Sequence, residues 1–124
     1  MSFASILRTI VEECGGGVGA ALMGTDGIPI DQYTADISEA EPPETDVTTI
    51  GIEFGRILLD IRKASDGLDG GSLDETIIEL TRFTLVFRPI DSEYFLLLVM
   101  APDGNLGKAR YLIRRHMLAI RQEL

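Results

Sequence analysis

The sequence is poor in the residues that carry most metal-binding and nucleophilic chemistry. Its 124 residues include one cysteine, one histidine and no tryptophan. A lone cysteine, Cys14, excludes an intrachain disulfide, and one histidine with one cysteine cannot build a His/Cys metal site. A reduced, cytoplasmic compartment is therefore the expected location, and no metal or cofactor is expected.

Long apolar runs are missing as well. The longest, from Tyr94 to Ala101, has eight residues, whereas a membrane-spanning helix needs about 20. The first residues show no basic segment followed by an apolar one, so no secretory leader is expected. These features predict a protein that does not insert into membranes.

Positive charge is scarce relative to negative charge. Twenty acidic residues against eleven basic ones give a net charge of −9. Residues 105–124 are an exception, because five bases and one acid give them a charge of +4 and leave −13 for the remainder. A chain of this charge is repelled by nucleic-acid phosphates, so nucleic acid is not an expected partner.

The remaining composition is that of a globular protein, with 45% apolar and 25% charged residues. The length predicts a single domain over residues 1–124. Apolar spacing, glycine-rich stops and turn signals predict eight elements in the order αββαβββα. They are a helix over 3–14, a hairpin over 18–33, a helix over 47–64, strands over 73–80, 83–88 and 94–101, and a helix over 105–124. This order favours an α+β sandwich in which helices cover an antiparallel sheet.

An acidic segment separates the first hairpin from the middle helix. Residues 31–46 hold six acids, no bases and the pair Pro42-Pro43. We expect a solvated loop there, because too little chain precedes it to form a domain of its own. Asp46 at its end is a suitable N-cap for the middle helix.

Catalytic chemistry has little support in the sequence. His116 falls on the apolar spacing of the last helix, which favours a packed or edge-of-core histidine. Gly15 to Gly17 follow a helix and precede a strand, the reverse of a phosphate-binding loop, so they are interpreted as a helix stop. The acidic turn over 66–74 lacks the ligand alternation of a calcium loop. No catalytic, cofactor-binding or metal-binding residue is assigned.

The middle helix is the most informative segment, because it carries two apolar stripes. At about 100° per residue, one arc faces the core, and Ile52 and Leu59 fall toward the opposite side beside Arg56 and Lys63. Gly51 and Gly55 fall between the two faces, where they would allow a close backbone approach. The predicted core arc comprises Val47, Ile50, Phe54, Ile57, Leu58 and Ile61. The second stripe predicts a protein contact surface, and the alternative is two stray surface aliphatics.

The last helix carries a similar pattern. Arg110, Arg114 and Arg121 share one stripe, and Tyr111 and Leu118 share another that points away from the core. A solvated basic face explains this stripe, and docking to an acidic patch is the alternative.

Two segments and their order resemble the roadblock (dynein light chain) family, and within it bacterial MglB-type regulators of small GTPases. The first is the Asp26-Gly27 turn inside the hairpin of residues 17–30, and the second is the Leu106-Gly107 start of the last helix, whose pattern continues to Arg110. The resemblance implies a profilin-like five-stranded antiparallel sheet, with the middle helix on one face and both terminal helices on the other. It also implies dimerisation through the middle helix and the third strand, which would join two sheets into one of ten strands.

The resemblance and the residue pattern together favour a non-enzymatic homodimer that docks a Ras-like small GTPase and regulates it, with the role of activating protein as one form of that regulation. The predicted partner and dimer interface comprises Gly51, Ile52, Gly55, Arg56, Leu59 and Lys63, with Ile77 on the third strand at a sheet edge. A structural light-chain or cell-polarity scaffold subunit without effect on nucleotide turnover is the alternative. A small-ligand sensor ranks third, and a hydrolase last.

Overall fold

The computed structural model describes residues 2–35 and 46–124. Within these ranges, three helices and five strands follow the predicted order αββαβββα. Residues 36–45 of the expected acidic loop lie outside the described residues. The elements are α1 (Phe3–Glu13), β1 (Gly17–Gly24), β2 (Pro29–Thr34), α2 (Val47–Gly67), β3 (Thr76–Glu79), β4 (Thr84–Pro89), β5 (Tyr94–Met100) and α3 (Leu106–Glu123).

The five strands form one antiparallel sheet in the order β2-β1-β5-β4-β3. β5 lies at the centre and is buried on both faces, as its continuous apolar sequence predicts. A tight turn joins β4 to β5, where the Asp91 carboxylate accepts hydrogen bonds from the backbone N–H groups of Glu93 and Tyr94. The predicted antiparallel pairing of these two strands is therefore confirmed.

The helices lie on the two faces of the sheet as predicted. Alternate residues of β5 divide between two cores, so that Leu96 and Leu98 pack with α1 and α3 while Phe95 and Leu97 pack with α2. We call these the terminal-helix core and the α2 core. Each helix starts at a side-chain cap: Ser2 accepts from Ser5, Asp46 from Thr48, and Asn105 from Lys108.

The third strand is shorter than the predicted range of 73–80. Its pairing with β4 begins only at Thr76, which is opposite Phe87. The segment before it is held by other elements, since the Ser65 hydroxyl of α2 donates to the Gly71 carbonyl and Arg110 of α3 forms an ion pair with Glu75 at 2.8 Å. The ladder with β4 starts directly after these contacts.

Candidate protein-interaction face on the middle helix

Two glycines let α2 lie close to its own sheet. A Cβ atom at Gly51 would overlap the Met23 sulfur, and one at Gly55 would lie 3.3 Å from the ring of Phe95. The predicted position of these glycines, between the core face and an outer face, is therefore wrong. They permit close approach of β1 and β5 rather than forming an outer groove.

Because of this close approach, the side of α2 that is buried differs from the side predicted from its large apolar residues. Val47, Gly51 and Leu58 are the buried positions of the helix. Ile57, which the periodicity places in the core, is 48% exposed. Ile52, expected on the outer face, is partly buried and packs against the α2 core. The unexpected exposure of Ile57 and burial of Ile52 have the same cause, because α2 contacts the sheet most closely along its glycines.

The remaining residues of the predicted outer stripe are exposed. Leu59 is 37% exposed, and Lys63 one turn later is exposed as well. The Arg56 guanidinium lies 4.0 Å from the Glu53 carboxylate, and both side chains are mostly in solvent. A surface pair of this kind adds little stability, so Arg56 remains available to a partner. As interface residues, these positions stay a prediction.

Ile57 lies on the flank of α2 that is turned toward the edge of the sheet. One turn earlier, the Phe54 ring lies 6.0 Å from the ring of Phe87 on β4. Phe54 also belongs to the α2 core together with Ile78 of β3. Among the described strands, β3 pairs with β4 alone, so its outer backbone edge is open. Ile57 therefore lies on the side of α2 that faces β4, the strand next to β3.

The sheet-edge position predicted for Ile77 is confirmed, and its part in an interface stays a prediction. Ile77 packs against the terminal-helix core, on the opposite face of the sheet from α2. Its neighbour Ile78 packs against the α2 core instead. Because successive strand residues point to opposite faces, the short strand presents Ile78 rather than Ile77 on the side of α2.

The exposed stripe on α3 is confirmed, and part of its basic face is already occupied. Tyr111 and Leu118 are 51% and 66% exposed. Arg110 forms the ion pair with Glu75, and Arg121 donates to the Ile90 carbonyl at 3.2 Å. His116 is partly buried and hydrogen-bonded to the Leu112 carbonyl at 2.8 Å, so the prediction of a packed histidine is confirmed.

The structure gives little support to metal or nucleophilic chemistry in the part of the chain that it describes. No group of three His, Cys, Asp or Glu residues there is arranged to hold a metal ion. Burial raises the pKa of the Cys14 thiol, which disfavours the reactive thiolate. None of the helices in the described ranges combines the length and apolar content that a bilayer crossing requires.

Solved structures provide the clearest comparisons. The chain is 32% identical to MglC from Myxococcus xanthus, with 100% of both chains covered and a TM-score of 0.70. It is 15% identical to a Roadblock/LC7 domain from Streptomyces avermitilis, with 98% and 97% covered and a TM-score of 0.82. It is 18% identical to the gliding protein MglB from Thermus thermophilus, with 96% and 85% covered and a TM-score of 0.81. No protein-family model and no curated protein matches the sequence.

Proposed function

Because this chain belongs to the roadblock/LC7 family, we propose that it is a non-enzymatic homodimer that docks and regulates a Ras-like small GTPase. One observation carries the proposal: α2 packs on its sheet through glycines and leaves apolar side chains exposed on both of its flanks. Ile57 and Leu59 are two residues apart, so they lie about 200° apart around the helix. A helix that serves only to cover a monomer's core needs one apolar stripe.

The Ile57 flank supports dimerisation. We infer that it lies toward the open edge of β3, and an unpaired strand edge offers backbone donors and acceptors to another strand. A twofold axis beside this edge would place the same surface of both copies in contact. The Ile78 and Phe54 side chains, both partly buried in the monomer, would complete that contact.

Replacing Ile57 with glutamate is expected to convert the dimer to a monomer. Burial of an isoleucine contributes about 1.5–3 kcal/mol, and a twofold interface loses this contribution twice. The dissociation constant of the dimer should therefore rise at least ~100-fold. Light scattering at micromolar concentration measures the mass. Leu118→Glu on α3 is the matched control and should keep the mass of two chains. A wild-type mass of one chain would contradict the dimer.

The Leu59 flank is the proposed docking surface for the GTPase. Leu59 offers apolar area, and Arg56 and Lys63 place positive charge beside it. In a dimer this surface would occur twice. Regulation of the partner is tested by the kinetics of its nucleotide turnover.

The alternative is a light-chain or polarity-scaffold subunit that binds without altering nucleotide turnover. The test uses a purified Ras-like GTPase from the same cells with the chain in excess. Our proposal predicts that GTP hydrolysis or nucleotide release changes by at least about tenfold. Complex formation with unchanged rates for both steps would favour the scaffold.

A further inference from the structure

An open cavity of about 430 Å³ lies at the end of the sheet, and neither Ile57 nor Leu59 lines it. It forms where β4 extends beyond β3, because the pairing of the two strands stops at Phe87 while β4 continues through Arg88 to Pro89. Residues 71–74 close one side, and the β4–β5 turn closes another.

Three arginines from three different elements line this cavity: Arg62 of α2, Arg88 of β4 and Arg121 of α3. Backbone carbonyls anchor two of them. Arg62 donates to the carbonyls of Asp91 and Ser92 at 3.4 and 3.3 Å, and Arg121 donates to that of Ile90 at 3.2 Å. Within residues 2–35 and 46–124, none of the three forms an ion pair with a carboxylate. Their positive charges are therefore uncompensated by direct pairing.

Of the three side chains, Arg88 has the least complete hydrogen bonding. Its Nε atom is buried and has no hydrogen-bond partner in the described part of the chain. Buried donors are nearly always paired, so the side chain of this lining residue has hydrogen-bonding capacity that the described residues leave unused. An arginine in this state offers a fork of N–H groups that fits the oxygens of a phosphate or carboxylate.

Three acids also line the cavity, so the formal charges of its lining balance, and attraction depends on which groups are free to meet a ligand. The Asp91 carboxylate is already engaged by two backbone N–H groups. Asp66 and Asp74 are exposed, so water and salt screen their charges. Arg62 and Arg88 are partly buried, so water and salt screen their charges less than those of the exposed acids.

We propose that this cavity binds the phosphate group of a small phosphate monoester. Guanidinium groups supplied from three elements can reach different oxygens of a tetrahedral phosphate, whereas a carboxylate has only two oxygens in one plane. The volume leaves room for an organic group beyond the phosphate, since small-molecule sites start at about 300 Å³. The site uses neither Ile57 nor Leu59, so its test is independent of the proposed function.

The test is a titration of the ¹⁵N-labelled protein, followed by the arginine Nε–Hε signals in NMR spectra at constant ionic strength. The probes are inorganic phosphate, methyl phosphate and acetate. Both phosphates are expected to bind with a Kd below about 1 mM, and acetate at least about tenfold more weakly. Tighter binding of methyl phosphate than of inorganic phosphate would identify the ester as the preferred form.

Variants distinguish this site from general surface charge. Arg88→Met and Arg121→Met should each weaken phosphate binding by at least about tenfold. Arg114→Met removes the same charge from an exposed position of α3 outside the cavity and should change nothing. If circular dichroism shows that Arg88→Met does not fold, the comparison is made with Arg121→Met alone. Equal weakening by Arg114→Met, equal binding of acetate, or no shift at about 10 mM phosphate would overturn the proposal.

Discussion

Replacing Leu59 with glutamate is expected to abolish binding of the small GTPase while the fold stays intact. The side chain is partly exposed on the outer part of α2, and glutamate is a good helix former, so the helix should tolerate the change. At an interface the variant loses about 1.5–3 kcal/mol of apolar burial and places a charge where water is excluded. A calorimetric titration with the purified GTPase should show at least ~100-fold weaker binding.

Leu118→Glu is the matched control for this result. Leu118 is an even more exposed leucine on α3, across the sheet from α2, and the substitution changes charge and size identically. It should leave the affinity unchanged. The single variant Leu59→Glu is preferred to a double variant with Ile52→Glu, because Ile52 packs against the α2 core and its replacement would also affect folding. Wild-type affinity in Leu59→Glu would remove this flank as the docking surface.

Replacing Gly51 with valine is expected to cause a large loss of stability. The first carbon of the new side chain would overlap the Met23 sulfur, and Leu97 lies 3.6 Å away, so neither neighbour has open space to move into. Overpacking of a close-packed core costs about 1–3 kcal/mol, and the displaced helix would also lose contacts with β1 and β5. Urea denaturation should therefore show a free energy of unfolding lower by about 2–3 kcal/mol.

Gly67→Ala provides the comparison within the same helix. A Cβ atom at Gly67, the last residue of α2, meets nothing within 4 Å. Alanine should raise the free energy of unfolding by up to about 1 kcal/mol, because it reduces the freedom of the unfolded chain. Equal stability of Gly51→Val and the wild type would mean that α2 does not lie as close to the sheet as described.

The order of the elements could be predicted from the sequence because strong local signals mark each boundary. The glycines after α1, the Asp26-Gly27 turn and the Asp91 turn each end an element where the structure ends it. The continuous apolar sequence of β5 likewise predicts its central place in the sheet. These features depend on neighbouring residues, so periodicity and turn chemistry detect them.

The orientation of α2 could not be predicted in the same way. Periodicity gives weight to large apolar residues, and a glycine contributes nothing to that pattern although it allows the closest contact. Gly51 and Gly55 therefore shift the buried face and leave Ile57 exposed. The late start of β3 depends on contacts with α2 and α3 that are distant in sequence, such as the Arg110–Glu75 pair. The spacing of Gly51 and Gly55 predicts a close backbone approach, and in the structure it is the protein's own sheet that makes this approach.

The central claim is that this roadblock domain binds a Ras-like small GTPase, and affinity capture tests it most directly. Tagged wild-type protein would be incubated with lysate of its own cells and a non-hydrolysable GTP analogue, and bound proteins identified by mass spectrometry. The account predicts capture of a Ras-like GTPase that is lost with Leu59→Glu and retained with Leu118→Glu. Recovery of nothing but further copies of the chain, or of a paralogue, would contradict it and favour the scaffold.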